Sequence, residues 1–124
     1  MKAVIMAGGA GTRLRPLTFT RPKPAMPIVN KPIVNHVLDL VRAAGIREVF
    51  VTVWYGKEAI ERCLSQVEDV EVRYSTEERP MGTAGGVGKV RGELEDTFIV
   101  VSGDLVTDVD LAEGVEAHRR RGGA

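Results

Sequence analysis

Short apolar runs alternate along the chain with stretches in which apolar residues recur every three or four positions. Lys2 to Met6 is a near-continuous apolar run of the kind a strand buried on both faces presents, and Val49 to Val53 and Phe98 to Val101 repeat it. Val70, Val72 and Tyr74 alternate with charged residues, which places that strand nearer a sheet edge. From Pro32 onward, Ile33, Val37, Leu40, Val41 and Ala44 follow helical spacing, and Gly45 supplies a stop. Lys57 to Leu64 reads as a shorter helix with Ile60 and Leu64 on one face. Thr83 to Val90 is weakly helical, because Gly85, Gly86 and Gly88 each lower helix propensity. Asp110 opens a last helix, with Glu113 in the capping-box position. A proline-punctuated segment runs from Pro16 to Pro32, and its four prolines between Pro22 and Pro32 forbid a regular helix there.

Strands alternating with helices predict an α/β fold: a Rossmann-like open, mainly parallel sheet with helices on both faces. Ligands of such sheets sit beyond the carboxyl ends of the strands, where strand order reverses. If the first strand is central and Phe98 to Val101 lies beside it across that reversal, the loops after these two strands meet. Gly8, Gly9 and Gly11 would then share a crevice with Asp104.

Composition narrows the function classes. The 124 residues suit a single domain, and 44% apolar content with 5% aromatics suits an aliphatic core. Lys+Arg and Asp+Glu balance at 17 each, which leaves no overall positive charge to hold a nucleic-acid backbone. One cysteine, Cys63, excludes an internal disulfide and points to a reducing, cytoplasmic compartment. The apolar run at the N-terminus is too short for a membrane span or the core of a signal peptide.

The densest chemistry lies in MAGGAGTRLRPLTFTRPKP, Met6 to Pro24. Glycines that follow a strand let backbone N–H groups approach a phosphate closely. The loop is not a dinucleotide fingerprint, since Leu14 stands where the third glycine belongs and Pro16 blocks an immediate helix. Nor is it a Walker A loop, because Gly11-Thr12-Arg13 replaces Gly-Lys-Ser/Thr. A plain tight turn would have no need of the cations that follow, Arg13, Arg15 and Lys23.

Gly8-Gly9-Ala10-Gly11-Thr12-Arg13-Leu14-Arg15-Pro16-Leu17-Thr18 with Arg21-Pro22-Lys23-Pro24 resembles the signature of the sugar nucleotidyltransferases, the nucleotide-sugar pyrophosphorylases. Asn30-Lys31-Pro32-Ile33, Pro80-Met81-Gly82-Thr83-Ala84-Gly85 and Ser102-Gly103-Asp104 follow in that family's order, so the resemblance runs along the whole chain. It implies an enzyme that joins a sugar 1-phosphate to a nucleoside triphosphate and releases pyrophosphate. By the same resemblance, Ala7, Gly8, Gly9, Gly11, Thr12, Arg13, Gly82 and Thr83 would bind the nucleotide. Arg13 and Lys23 would be catalytic, and Asp104 would bind Mg²⁺.

Pro80 to Gly85 is more similar to the Pro-Leu-Gly-Thr-Ala-Gly of mannose-1-phosphate guanylyltransferases than to the Gly-Leu-Ala-Gln of glucose-1-phosphate thymidylyltransferases. GTP and mannose 1-phosphate are therefore the favoured pair. A thymidylyltransferase-type enzyme and a noncatalytic nucleotide-sensing module are the alternatives.

The family's nucleotidyltransferase domain is about twice this length, the usual size of a full doubly wound domain. Residues 1–124 would thus be its N-terminal, nucleotide-binding half, with an open sheet edge through which copies could associate. A second metal-binding aspartate and a lysine for the sugar phosphate would lie in the other half, leaving this chain weakly active or inactive alone.

Other conspicuous residues read as structural. His36 falls within the first long helix, Cys63 beside the apolar Leu64, and Trp54-Tyr55 at a strand end where packing is the simpler role. His118-Arg119-Arg120-Arg121 sits where cations favour a helix C-terminus. Asp110 is explained as a cap, and Asp108 stays outside the metal site with it.

Overall fold

Alternation of side chains along one strand sets the layers of this molecule. In the computed structural model, which describes residues 1–94 and 97–123, β1 (Lys2–Met6) buries Ala3 and Ile5 on one face and Val4 on the other. Both faces are apolar because both are covered. The remaining elements are β2 (Pro27–Ile28), β3 (Lys31–Pro32), α1 (Ile33–Ala43), β4 (Glu48–Val53), α2 (Lys57–Leu64), β5 (Glu71–Thr76), α3 (Gly82–Lys89), β6 (Phe98–Ser102) and α4 (Leu111–Arg121).

The main sheet has four strands in the order β5-β4-β1-β6, every pair parallel. β1 pairs Ala3 with Val49 on one side and with Ile99 on the other, so strand order reverses beside it. The carboxyl ends of β1, β4 and β6 consequently open on one edge of the layer. β5 lies at one margin, as its alternating pattern predicts, and β6 forms the other among the described residues. Val100 of β6 is exposed there.

Helices cover both faces unequally. The larger core joins Ala3, Ile5, Val49, Val51 and Val53 to Val34, Val37, Leu38 and Val41 of α1 and Ile60 and Leu64 of α2, with Leu111 of α4 against it. Across the sheet, Val4 and Phe50 meet Val90, with Val87 of α3 packed alongside. α4 is capped as its sequence predicts: the Asp110 carboxylate accepts from the Glu113 amide at 3.1 Å.

The proline-punctuated segment holds more local order than its sequence suggests. It contains no α-helix, in agreement with the proline spacing, but Leu17–Phe19 and Lys23–Ala25 each form a 3₁₀ turn, as does Thr12–Leu14 just before it. Pro27–Ile28 and Lys31–Pro32 then pair as a short antiparallel ribbon. His36 has a structural partner, its Nε2 lying 3.0 Å from the Ile28 carbonyl. Among the described residues no helix is long and apolar enough to cross a membrane.

Ile5 is fully buried at the centre of the larger core. Ile5→Ala leaves a cavity between β1 and α1 and is expected to lower unfolding free energy by roughly 2–5 kcal/mol. Urea titration followed by circular dichroism measures it; a loss under about 1 kcal/mol would mean that this core does not carry the fold.

Candidate active site

β1 stops hydrogen bonding as a strand at Ala7, whose amide donates to the Thr52 carbonyl at 2.9 Å. The next four amides, those of Gly8, Gly9, Ala10 and Gly11, have no acceptor among the described residues. Buried peptide donors are almost always paired, so a run of free N–H groups persists only where solvent or a ligand reaches it. Ala7, itself buried, contributes wall rather than donor.

Gly11 closes the run at φ 62°, the left-handed region in which a side chain is strained. Its carbonyl accepts from the Thr18 hydroxyl at 2.7 Å and from the Leu14 amide at 3.0 Å. The chain thereby turns back, and Thr12, Arg13 and Lys23 come to one cleft.

These residues line an open cleft of about 400 Å³, together with Met6, Ala7, Gly9, Gly11, Ser102 and Asp104. The acidic wall comes from β6. Gly103 donates its amide to the Met6 carbonyl at 2.8 Å, and a Cβ at Gly103 would lie only 2.8 Å from that same oxygen. Only glycine lets Ser102-Gly103-Asp104 run so close to β1. The anticipated meeting of the glycine loop with Asp104 is therefore present.

Asp104 is the polar focus of this cleft. Its Oδ2 accepts from Lys23 Nζ at 2.7 Å, and its Oδ1 accepts from the Ser102 hydroxyl. The Lys23 hydrogen bond, seconded by that of Ser102, holds the carboxyl below its ordinary range, while partial burial opposes the effect. Arg13 and Arg15 are exposed; Arg15 lies over the Phe19 ring at 5.1 Å, and Arg13 meets no carboxylate among the described residues.

One carboxylate is a partial fit to Mg²⁺, which takes one or two carboxylates together with phosphate oxygens and water. The described residues include no cluster of three acidic, histidine or cysteine ligands. Asp104 is ionised, faces the cleft and sits opposite the free amides, so it suits a cation shared with a bound phosphate.

Beyond Gly9 a second compartment of about 360 Å³ adjoins the first, sharing Met6, Gly9 and Ser102 with it. Gly8, Thr52, Glu77, Pro80, Met81, Gly82 and Thr83 complete its lining. Gly82 and Thr83 open α3, whose first-turn amides have no intrahelical acceptors. Glu77 is buried there; its Oε2 accepts from the Met81 amide at 3.1 Å, and no cation pairs with it among the described residues.

The structure thus gathers Ala7, Gly9, Gly11, Thr12, Arg13, Lys23 and Asp104 around one cleft and Gly8, Gly82 and Thr83 around its neighbour, with Gly9 shared by both. Three contributors were not singled out from sequence. Ser102 stands in Ser102-Gly103-Asp104, where nothing local marks it as a partner of Asp104. Glu77 stands in Glu77-Glu78-Arg79, where nothing marks the first acid as the buried one. Thr18 is concealed in a loop of mostly exposed residues.

The family model described as Nucleotidyl transferase matches residues 2–124. A mannose-1-phosphate guanylyltransferase of Mycobacterium tuberculosis is 40% identical over 94% of this chain and 33% of its own length. A UTP–glucose-1-phosphate uridylyltransferase of Synechocystis is 38% identical over 98% of this chain and 35% of its own. Among solved structures, HddC from Yersinia pseudotuberculosis complexed with GMP-PN superposes with a TM-score of 0.81 at 28% identity, over 94% of this chain and 53% of that one. The chain spans about a third of the length of these curated relatives. It belongs to the nucleotidyl transferase family.

The depressed carboxyl of Asp104 fixes the sign of a pH effect. A folded-state value below the unfolded one favours the ionised folded form, so this stabilisation is present above the unfolded carboxyl range and disappears as pH falls through the folded midpoint. Carbon-13 titration of Asp104 is expected to give a midpoint below 3.8, and Lys23→Met to move it upward. A midpoint that Lys23→Met leaves in place would show that the pair does not form in solution.

Proposed function

We propose, from that family membership, that the chain carries the triphosphate-binding part of a sugar-1-phosphate nucleotidyltransferase, with GTP and mannose 1-phosphate as its preferred substrates. The observation that carries this reading is the row of acceptor-free amides from Gly8 to Gly11, of which Gly9 and Gly11 line the cleft that also holds Arg13, Lys23 and Asp104. Free peptide donors flanked by cations suit a polyphosphate better than any neutral ligand.

In the reaction, an oxygen of the sugar phosphate attacks the α-phosphorus in line. A new phosphorus–oxygen bond forms, the bond from the α-phosphorus to its β-bridging oxygen breaks, and pyrophosphate leaves with that electron pair. Little covalent participation by protein is needed; positioning and charge stabilisation supply the catalysis. The loop amides hold the triphosphate. Arg13, through its planar fork, stabilises charge growing on pyrophosphate. Lys23, a compact point charge, draws the two mutually repelling phosphates together. Mg²⁺ held by Asp104 would neutralise phosphate charge while bound.

The second compartment supports the choice of base. Guanine offers adjacent N–H donors along one edge, and a buried carboxylate is a pure acceptor. Glu77, reached between Gly8 and Thr83, is such an acceptor. The loop Pro80 to Gly85 and the guanylyltransferase relative point the same way, whereas the uridylyltransferase relative supplies the competing pair, UTP with glucose 1-phosphate.

Calorimetric titration of the chain with GTP, UTP and dTTP in magnesium is expected to rank GTP first. Glu77→Gln should erode that preference about tenfold or more, the worth of a charged hydrogen bond. Equal affinity for all three would overturn the guanine assignment, and no binding of any would overturn the whole reading. In an active protein that contains this chain, Arg13→Ala is expected to lower kcat roughly a hundredfold and to change the GTP dissociation constant little. Unchanged pyrophosphate release would remove Arg13 from the mechanism.

A further inference from the structure

The loop that carries the cations is long, turns repeatedly and exposes Leu17 and Phe19 to solvent. What fastens it to the sheet comes from a different part of the chain, the residues that follow β4. The Tyr55 hydroxyl lies 2.9 Å from the Thr18 carbonyl and 3.0 Å from the Phe19 carbonyl, and its one hydrogen serves both. Thr18 is 2% exposed, and its own hydroxyl donates to the Gly11 carbonyl at 2.7 Å. Next in sequence, Gly56 supports Pro22: a Cβ there would stand 2.6 Å from the proline ring. None of Thr18, Tyr55 and Gly56 lines the cleft.

We infer that Tyr55 and Thr18 are positioning residues for phosphate binding, a strut that runs from the end of β4 through Thr18 to Gly11 and sets the aim of the loop amides and of Arg13. The inference rests on the reading of Gly8 to Gly11 as the phosphate site and deepens it. Its physical basis is the position of Gly11, the last of the free amides and the hinge at which the chain turns toward Arg13. A hydrogen bond to its carbonyl fixes the orientation of the following peptide. Tyr55 in turn fixes Thr18, whose side chain would otherwise hang from an exposed loop. Such supporting contacts govern how closely donors match a ligand, and misplacement by an ångström costs large factors in activity.

Tyr55→Phe and Thr18→Val each remove one hydroxyl with little change of shape, and Thr18→Ser retains it. Three ligands separate the roles: magnesium GTP, pyrophosphate and guanosine. Tyr55→Phe and Thr18→Val are expected to weaken GTP and pyrophosphate roughly tenfold, to leave guanosine unchanged and to keep the melting temperature near that of the parent. Thr18→Ser should restore phosphate binding.

Amide exchange supplies a readout that needs no ligand. The Leu14 and Phe19 amides, which close the loop's own turns onto Gly11 and Pro16, should exchange faster in both hydroxyl-deleted variants, with β1 and β4 unaffected. Equal weakening of guanosine and GTP, or faster exchange across the whole sheet, would reduce the strut to a general structural role and overturn the inference. Unchanged phosphate affinity together with unchanged loop exchange would overturn it as well. If the parent chain binds no phosphate ligand, the reading under Proposed function fails by itself. The strut's aiming of a phosphate site falls with it, whatever the exchange rates show.

Discussion

Unpaired peptide donors are the constraint from which the rest of this structure follows. Four successive N–H groups, from Gly8 to Gly11, end the central strand without acceptors among the described residues. Burying them dry would cost more than a small domain can tolerate. They must therefore lie at the mouth of the sheet, and the parallel order β5-β4-β1-β6 puts them there, at the point where strand order reverses. Side-chain alternation in β1 gives that strand two dry faces, so its carboxyl end can leave donors exposed without loosening its own ladder. Fold and site share a single strand.

The cleft is asymmetric in what it offers. One wall consists of donors and cations, and the other consists of Asp104 braced by Ser102 and Lys23. Lys23 stands between them and already neutralises the aspartate. Under the proposed function, an anionic ligand with its counter-cation would enter by exchanging partners, with phosphate taking up Lys23 and the cation taking up Asp104. Side chains at both ends are about a third exposed, so the exchange takes place in contact with water, where ion pairs are weak and rearrange readily. The neighbouring compartment is different in kind, with the buried carboxylate of Glu77 and the start of α3.

Much of this was legible in the residues themselves. Apolar runs located β1, β4 and β6, the alternation of Val70, Val72 and Tyr74 located an edge strand, and Asp110 with Glu113 marked the start of α4. The glycine loop with Arg13 and Lys23 marked a candidate phosphate site, because those residue types have few other reasons to be adjacent. What stayed hidden depended on tertiary contact. The ribbon Pro27–Ile28 with Lys31–Pro32 is too short to leave a periodic pattern. Nothing local distinguishes buried Glu77 from exposed Glu78. Tyr55 reads as packing until Thr18, distant in sequence, is found beneath its hydroxyl.

The margin formed by β6 has a consequence for how such a cleft can diversify. Among the described residues no strand pairs with its outward side, and any strand laid against it would stand beside Asp104, with β1 and β6 separating it from Gly56 and Tyr55. Additions on that flank would remodel the acceptor side, the region where a second reactant and its counter-ion approach. The donor side, built from the loop that follows β1, would be left as it is. If the cleft grips a nucleotide as proposed, variation in what is joined to it would accumulate on one flank while the grip stays fixed on the other.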